Sequence, residues 1–468
     1  MTTRMGERLI EDDLITDRQL ELALERQRLR GGRLGDNLVA LGFISKEDAL
    51  SVFTRTPPAP RTVEDTKLSP SLIADLIMKH VVSMGEFTLP EAADAVKLPA
   101  SVVDTAVDLL RRDRLLEVRS AGELSKLSFK LAVTDQGRNR AAELLDRCHY
   151  VGPAPVVIEE YRSMVETQTV NSILVSEDTI KGAFSDLIVR EELLESLGPA
   201  VSSGRAIFLY GPPGNGKTAM AEALGKVLPG AIYLPYAILV GGEVIVVYDT
   251  LNHVAAEPAN DPGAVDQRWV LVRRPIVTVG GELTLTSLDL HFDPVTKFYE
   301  APLQMRANNG LFIVDDFGRQ QVDPRKLLNR WIVPLERRTD FLTLHTGMKF
   351  EIPFDELVVF STNIEPKNLV DEAFLRRIRY KIKIDHPDLE EFEEIFKAVC
   401  ESNSIDFNKD VFDSLINDYY LGRGVTLNRC HPRDIIDHII DSGHYHGYSP
   451  ELTEKSIASA WESYLLEL

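Results

Sequence analysis

Apolar and polar positions alternate in a regular way over much of the second half of the chain. Short apolar runs at 206–210, 311–314 and 357–360 are separated by amphipathic stretches. Short apolar runs divided by helical periodicity are typical of strands and helices in a parallel α/β sheet. The pattern therefore predicts an α/β domain over residues 170–385.

Helical periodicity replaces this alternation from residue 386 onward. The expected helices cover residues 390–401, 410–420 and 432–444. No strand-like run interrupts them, so the second pattern predicts a helical lid over residues 386–468.

The first 56 residues contain an internal repeat. Arg-Met-Gly at residues 4–6 and Arg-Leu-Gly at residues 33–35 open two similar segments, and the offset is 33 − 4 = 29 residues. Each opening is followed by apolar pairs and a helix-like run. A unit this short cannot bury its apolar face alone, so the two should pack together as a small helical repeat domain, residues 1–56.

Two proline-containing segments divide the region between the repeat and the α/β domain. Residues 57–63 and 151–169 are predicted as linkers. Residues 64–150 between them have the order helix, helix, helix, strand, strand, helix, which predicts a winged helix-turn-helix domain. Its third helix, expected at 102–113, would be the one that reads DNA.

Composition narrows the classes of partner. A net charge of −20 opposes sequence-independent binding to a nucleic-acid backbone. The three cysteines are far apart and fit no zinc spacing, which indicates free thiols in a reducing compartment. The apolar stretch 231–247 contains a Gly-Gly turn and predicts two strands rather than a membrane span. Since the first residues carry no apolar signal core, we expect a cytoplasmic protein without membrane insertion.

The strongest chemical signal is a glycine-rich loop between a predicted buried strand and an alanine-rich helix. Its sequence matches G-x-x-x-x-G-K-[ST], in which backbone N–H groups and a helix N-terminus surround phosphate oxygens. Lys217 would reach the β and γ phosphates, and Thr218 would offer its hydroxyl to Mg²⁺. The predicted ATP-binding residues are Gly211, Pro212, Pro213, Gly214, Asn215, Gly216, Lys217, Thr218 and Ala219.

Two carboxylates follow the apolar run 311–314, the pattern of a Walker B strand. Asp315 would hold Mg²⁺ together with Thr218, and Asp316 would polarise the attacking water. The second position carries aspartate where glutamate is commoner. Because aspartate is one methylene shorter, we expect slow turnover.

With these motifs in place, residues 170–468 resemble an AAA+ ATPase of the branch with a pre-sensor-1 hairpin. Residues 341–352 alternate around a glycine turn and predict that hairpin. The strand that follows resembles sensor 1, with Asn363 near the γ-phosphate. Residues 430–434 resemble sensor 2, with Arg433 reading the γ-phosphate. In the same family a substrate-gripping pore loop lies between the P-loop and Walker B, where Phe298 and Tyr299 are candidates; core packing is the alternative.

The segment 371–378 resembles the family's arginine-finger region. The pattern favours Arg377, and the adjacent Arg376 remains the alternative. Such a finger stabilises charge on a phosphate bound by the next subunit. The resemblance therefore implies a ring-shaped oligomer, expected to be a hexamer.

The N-terminal repeat resembles the MshEN domain of type II secretion and type IV pilus assembly ATPases, which binds cyclic di-GMP. The second copy departs from the family pattern at Ala49, Phe53 and Thr56. Protein docking is the alternative for this unit. The candidate cyclic di-GMP residues are Arg4, Met5, Gly6, Leu20, Leu24, Gln27, Arg33, Leu34 and Gly35.

Taken together, these motifs favour an AAA+ ATPase with ATP and Mg²⁺ as cofactors. It would couple hydrolysis to remodelling or movement of an unidentified protein partner, under control of the cyclic di-GMP-type module. The alternative is an ATP-switched DNA-binding regulator of transcription or assembly that acts through the winged helix. DNA binding is the disfavoured option, because the start of the reader helix is poor in hydrogen-bond donors and contains Asp104. A third reading, an adaptor with an inactive ATPase, conflicts with the intact set of Lys217, Asp315 and Asn363.

Cyclic di-GMP binding can be tested by calorimetric titration of the full chain. Arginine pairs with guanine O6 and N7, so Arg4→Ala and Arg33→Ala should each weaken binding by roughly tenfold or more. Arg138→Ala, well outside the repeat, is the matched control. No saturable heat with the unaltered chain would rule out the dinucleotide as ligand.

Overall fold

The computed structural model describes most of the chain. The described residues are 9–10, 14–30, 34–45, 56–120, 129–170, 173, 175–257, 265–369 and 372–464. Four of the cyclic di-GMP candidates, Arg4, Met5, Gly6 and Arg33, lie outside them.

Two helices, α1 (Asp17–Arg30) and α2 (Leu34–Ala40), form the described part of the N-terminal unit. Thr16 caps α1: its hydroxyl accepts from the Gln19 N–H at 3.4 Å, and the Gln19 side chain accepts from the Thr16 N–H at 2.8 Å. Arg26 on α1 donates to Asn37 on α2 at 3.1 Å. The apolar side chains of both helices meet in one small buried cluster, so the described parts of the two segments pack on each other.

Residues 64–150 contain helices and a small antiparallel sheet with strand order β1-β3-β2. The observed order of elements agrees with the predicted one except for the short strand β1, which was not predicted, and the winged-helix interpretation stays a prediction. After a 3₁₀ turn at Glu64–Thr66, the elements are α3 (Pro70–Val81), β1 (Glu86–Phe87), α4 (Leu89–Val96), α5 (Ala100–Arg112), β2 (Leu116–Ser120), β3 (Lys130–Val133) and α6 (Asp135–Arg147).

The region from residue 151 to 385 is an α/β structure with two main sheets. Its helices are α7 (Ile158–Thr167), α8 (Glu177–Ala183), α9 (Glu191–Ser202), α10 (Lys217–Lys226), α11 (Leu303–Arg306), α12 (Pro324–Arg337), α13 (Pro366–Leu369) and α14 (Glu372–Leu375), with a 3₁₀ turn at Thr286–Leu288. Its strands are β4 (Val156–Val157), β5 (Ile207–Tyr210), β6 (Ala231–Pro235), β7 (Ala237–Val240), β8 (Glu243–Val246), β9 (Trp269–Arg273), β10 (Ile276–Val279), β11 (His291–Phe292), β12 (Tyr299–Glu300), β13 (Leu311–Val314), β14 (Thr339–Thr343), β15 (Lys349–Pro353), β16 (Leu357–Thr362) and β17 (Tyr380–Lys383).

The first sheet has the order β10-β13-β16-β5-β17, and every neighbouring pair in it is parallel. All residues of β13 and β16 are buried. A central strand covered on both faces needs a continuous apolar run, which is what these two strands have. The predicted parallel α/β sheet is confirmed, and the carboxyl ends of β13, β16 and β5 lie side by side.

A β-rich insertion lies between α10 and β13. It contributes the antiparallel pair β6-β9 and four strands of a mixed sheet of order β11-β12-β8-β7-β4, in which the edge strand β4 comes from before the insertion. Strands β7 and β8 are joined by Gly241 and Gly242, which both have positive φ, as the tight hairpin turn requires. The Gly-Gly turn predicted in this stretch is confirmed.

The two pore-loop candidates lie in this insertion, and both pack against other aromatic side chains. Tyr299 is 1% exposed, and its ring contacts Phe292. Phe298 lies 5.9 Å from the ring of Tyr150 in a T-shaped contact. The structure therefore agrees with core packing for Tyr299, the alternative to a pore loop, and Phe298 joins the insertion to the helical unit of residues 64–150.

Residues 151–169, predicted as a linker, contain β4 and α7. Strand β4 pairs in parallel with β7 of the insertion. Helix α7 buries Ile158, Tyr161 and Val165, whose spacing places them on one helix face. Because this apolar face packs on the insertion, the segment is ordered structure despite the prolines before it.

Strands β14 and β15 form the predicted hairpin before β16. Leu342, Leu344, Phe350 and Ile352 on one face are buried with side chains of the insertion. The hairpin is thus packed along the insertion, and its outward face carries the exposed Phe341.

The described chain from residue 386 onward is helical, as its periodicity predicts, and is called the lid below. It consists of α15 (Leu389–Ser402), α16 (Lys409–Ser414), a π-helical turn (Leu415–Leu421), α17 (His431–His446) and α18 (Glu454–Tyr464), the last of which was not predicted. Its core is aromatic, with Phe392, Phe396, Phe412, Tyr420 and Trp461 in mutual contact. No helix among the described residues has a run long and apolar enough to cross a bilayer.

Core packing behind β13 can be tested at Trp331, which is fully buried and contacts Phe312 at a ring distance of 5.3 Å. Trp331→Ala should lower the free energy of unfolding by about 3–5 kcal/mol, because it removes a large buried side chain and leaves a cavity. Urea unfolding followed by fluorescence measures this. Phe341→Ala, at an exposed aromatic, should change stability far less; an equal loss would contradict the assigned core.

Candidate nucleotide-binding site

The loop between β5 and α10 bends around the first turn of α10. Gly211 has a φ of 146°, and a side chain there would overlap the carbonyl oxygen of Ile384. Gly216, with a φ of 80°, is the residue immediately before the helix. This bend directs backbone N–H groups and the positive end of α10 toward one point, which suits a phosphate chain.

Lys217, the first residue of α10, lies across this loop. Its side chain is 7% exposed, and Nζ donates to the carbonyl oxygen of Pro212 at 2.8 Å. Burial lowers the pKa of Lys217 below its ordinary value, and the nearby Asp316 and Asp315 partly offset that shift. A buried ammonium beside the loop is placed to exchange its carbonyl contact for phosphate oxygens.

Three strand ends supply the remaining polar groups. Thr218 Oγ1 donates to Asp315 Oδ2 at 2.9 Å, and Asn363 Nδ2 donates to Asp316 Oδ1 at 3.3 Å. Thr218 follows β5 through the loop, while the aspartates follow β13 and Asn363 follows β16. The structure thus brings together the four side chains that the sequence predicts at this site.

The donor set fits Mg²⁺. A hydroxyl and a carboxylate oxygen meet at Thr218 and Asp315, and Mg²⁺ commonly takes one or two protein oxygens together with phosphates and water. Within the described ranges no group of three or more histidine, cysteine, aspartate or glutamate side chains could hold a metal by itself. A substrate phosphate would have to complete the coordination.

A cavity of about 700 Å³ lies between these groups and the lid. The loop at residues 186–189 and α15 side chains such as Ile395 and Val399 form an apolar end. The glycine-rich loop, the aspartates and Asn363 form a polar end. An apolar end joined to a phosphate-binding end is the shape of site that a nucleoside triphosphate needs.

The lid contacts the glycine-rich loop directly. Asn215, fully buried, donates to Asn428 Oδ1 at 3.2 Å and accepts from the Arg429 N–H at 3.3 Å. The Cys430 N–H donates to the Gly214 carbonyl oxygen at 2.9 Å. Asn215 occupies a variable position of the motif, so the sequence pattern could not reveal this contact.

A buried ion pair within the lid holds an arginine that also contacts the sheet domain. Arg429 pairs with Glu391 on α15 at 2.5 Å, and the two side chains are 8% and 5% exposed. A second guanidinium nitrogen of Arg429 donates to the Ile188 carbonyl oxygen at 2.8 Å. Sequence reasoning missed both residues, although Arg429 is adjacent to the segment that resembles sensor 2.

The predicted arginines differ in their placement. Arg433 lines the cavity with a side chain that is 71% exposed and lies 3.9 Å from Asp434. Arg377 contacts Glu336 on α12. Neither Arg377 nor the exposed Arg376 is among the described residues that line the cavity.

The cyclic di-GMP candidates are only partly described. Leu20, Leu24 and Gln27 lie on one face of α1, since their spacing is helical. Leu20 and Leu34 pack against the small N-terminal cluster, and Leu24 is 37% exposed. Gly35 lies in α2.

Two sequence comparisons match parts of the chain. A family model described as Domain of unknown function (DUF8689) matches residues 388–463, within the lid. Pachytene checkpoint protein 2 homolog from Gallus gallus is 26% identical over 178 residues, or 35% of this chain. The match spans 37% of that relative, so this chain covers little more than a third of its length.

Solved structures show weaker similarity. NtrX from Brucella abortus in complex with ADP matches at 15% identity over 81% of this chain and 72% of its own, with a TM-score of 0.36. The RuvB Holliday junction branch migration motor of Thermotoga maritima matches at 13% identity over 64% of this chain and 73% of its own, with a TM-score of 0.32. TM-scores of this size do not establish a shared fold.

The buried ion pair yields a testable difference between two glutamates on α15. Glu391→Gln should destabilise the fold by about 3 kcal/mol, because it leaves the buried guanidinium of Arg429 without its countercharge. Glu393→Gln, whose partners Lys397 and Lys409 are solvent-exposed, is the matched control and should cost much less. Thermal and urea unfolding measure both; equal effects would show that the buried pair has no special role.

Proposed function

We propose that the chain is an ATP hydrolase of the AAA+ type that remodels or moves a protein partner. The observation that carries this is the meeting of Lys217, Thr218, Asp315, Asp316 and Asn363 at the ends of three adjacent parallel strands, beneath a helical lid. The sequence similarity to Pachytene checkpoint protein 2 homolog points to the same family.

ATP binding uses the loop and the lid together. The N–H groups of residues 214–216 and the Lys217 ammonium bind the phosphates, and the base lies toward the apolar end of the cavity. Arg433, at the rim of the cavity on α17, approaches the γ-phosphate from the lid side. Binding would therefore hold the lid and the sheet domain in one arrangement.

Hydrolysis depends on the second aspartate. The Asp316 carboxylate accepts a hydrogen bond from water and directs it at the γ-phosphorus, while Asn363 fixes the orientation of that carboxylate. The water oxygen bonds to the γ-phosphorus as the bond from the γ-phosphorus to the β–γ bridging oxygen breaks. One proton of the water stays on the phosphate and the other passes by way of the Asp316 carboxylate to solvent, and ADP and phosphate leave. Mg²⁺, when held by Thr218 and Asp315, neutralises charge on the phosphate oxygens.

The ring and the regulatory module are part of the same proposal. Arg377 would complete the phosphate site of a neighbouring subunit, which requires a ring and, by family resemblance, a hexamer. Cyclic di-GMP bound at the N-terminal repeat would regulate turnover. The alternative, DNA binding through α5, is weakened by the contact of Ser101 with the Arg61 carbonyl oxygen and by Asp104 and Asp108 on the same helix.

Two variants should distinguish nucleotide binding from hydrolysis. Lys217→Ala should weaken ATP binding at least about tenfold, because a cation beside the phosphates is lost. Asp316→Asn should bind ATP normally, but its turnover should be at least roughly 100-fold slower. It should also retain the protein partner in a pull-down. Isothermal titration and phosphate release measure the two steps.

Lys349→Ala, at an exposed lysine on β15, is the matched control and should behave like the unaltered chain. Unchanged ATP affinity in Lys217→Ala would refute the assigned site. Turnover stimulated by DNA and by no protein fraction would favour the DNA-binding alternative.

A further inference from the structure

The turn that follows β13 holds Asp316 in an unusual backbone conformation. Asp316 has a φ of 47°, in the left-handed region. Aspartate tolerates this region better than most residues, but the conformation still costs free energy and persists only where surrounding contacts impose it. One side chain, Gln320, contributes three of the hydrogen bonds that impose it here.

Gln320 uses its amide group on both sides of Asp316. Its Nε2 donates to the Asp315 carbonyl oxygen at 2.9 Å and to the Asp316 carbonyl oxygen at 3.2 Å. Its Oε1 accepts from the Gly318 N–H at 2.8 Å. The two carbonyls belong to the peptide planes that flank the Asp316 Cα, so holding both of them fixes φ and ψ of that residue.

The same turn is tied to the strand that carries Asn363. The Phe317 N–H donates to the Ser361 carbonyl oxygen at 2.7 Å, and Thr362 Oγ1 donates to the Phe317 carbonyl oxygen at 2.6 Å. The Phe317 N–H belongs to the peptide plane that follows Asp316, and the Asp316 carbonyl oxygen in that plane also accepts from the Arg319 N–H at 2.9 Å. The carbonyl of the plane that precedes Asp316 is held by Gln320. The following plane is thus held by several bonds, whereas the preceding plane, and with it the φ angle that aims the Asp316 carboxylate toward Asn363, depends on Gln320.

We propose that Gln320 is a positioning residue for ATP hydrolysis, which it serves by aiming the Asp316 carboxylate at the attacking water. This rests on the proposed function. Gln320 is not among the described residues that line the nucleotide cavity, so it acts through Asp316 and not on the substrate. A small error in the direction of a catalytic group slows the chemical step without weakening the binding of substrate.

Two substitutions separate the donors of Gln320 from its acceptor. Gln320→Ala removes all three hydrogen bonds, whereas Gln320→Glu keeps an oxygen for the Gly318 N–H and loses both donors. Each variant should lower kcat by about tenfold or more, with KM for ATP and the affinity for a non-hydrolysable ATP analogue within about twofold of the unaltered chain. Gln321→Ala, at the exposed neighbouring glutamine, should keep full activity.

Several results would overturn the inference. Normal kcat in Gln320→Glu would show that the two donors are dispensable. A parallel loss of analogue binding and thermal stability with kcat would show that Gln320 only maintains the fold. If the unaltered chain hydrolyses ATP, Asp316→Asn does not, and both Gln320 variants turn over normally, the role of Gln320 is refuted while the proposed function stands. An unaltered chain that binds ATP without hydrolysing it, or an Asp316→Asn variant with full activity, overturns the proposed function as well.

Discussion

The parallel arrangement of β5, β13 and β16 is the constraint on which the candidate site depends. Parallel neighbours end at the same edge of the sheet, so the residues that follow each strand are brought together whatever their distance along the chain. The strands can be neighbours because their side chains are apolar on both faces and are covered by helices on each side. Burial of the sheet and assembly of the site thus have one physical cause.

The lid is joined to this edge by polar contacts rather than by a shared apolar core. Asn215, Asn428 and the Arg429–Glu391 pair lie where the lid meets the loop. The Asn428 side chain also donates to His431 Nε2 at 3.2 Å, and burial lowers the pKa of His431, which favours the neutral ring that can accept this bond. Such contacts are directional, so a rotation of the lid changes the surroundings of the phosphate loop directly.

The insertion connects the N-terminal half of the chain to the nucleotide domain. Phe298 packs on Tyr150, and the Asp266 N–H donates to the Pro57 carbonyl oxygen at 2.8 Å. Strand β4 and helix α7 extend this contact from residue 156 onward. A movement of residues 64–150 would therefore be transmitted to the sheet that packs against β14 and β15.

By itself, the sequence determined the phosphate loop, the acidic strand end, the hairpin before β16 and the helical lid. Each depends on residues that are close along the chain: glycine spacing, apolar runs, or helical periodicity. Only the tertiary structure decided that residues 151–169 are a strand and a helix, that Tyr299 is core, and that Asn428, Arg429 and Gln320 support the site. These outcomes depend on which distant segment each side chain contacts. The sequence does not show the hydrogen-bond partner of a polar residue when that partner is far away along the chain.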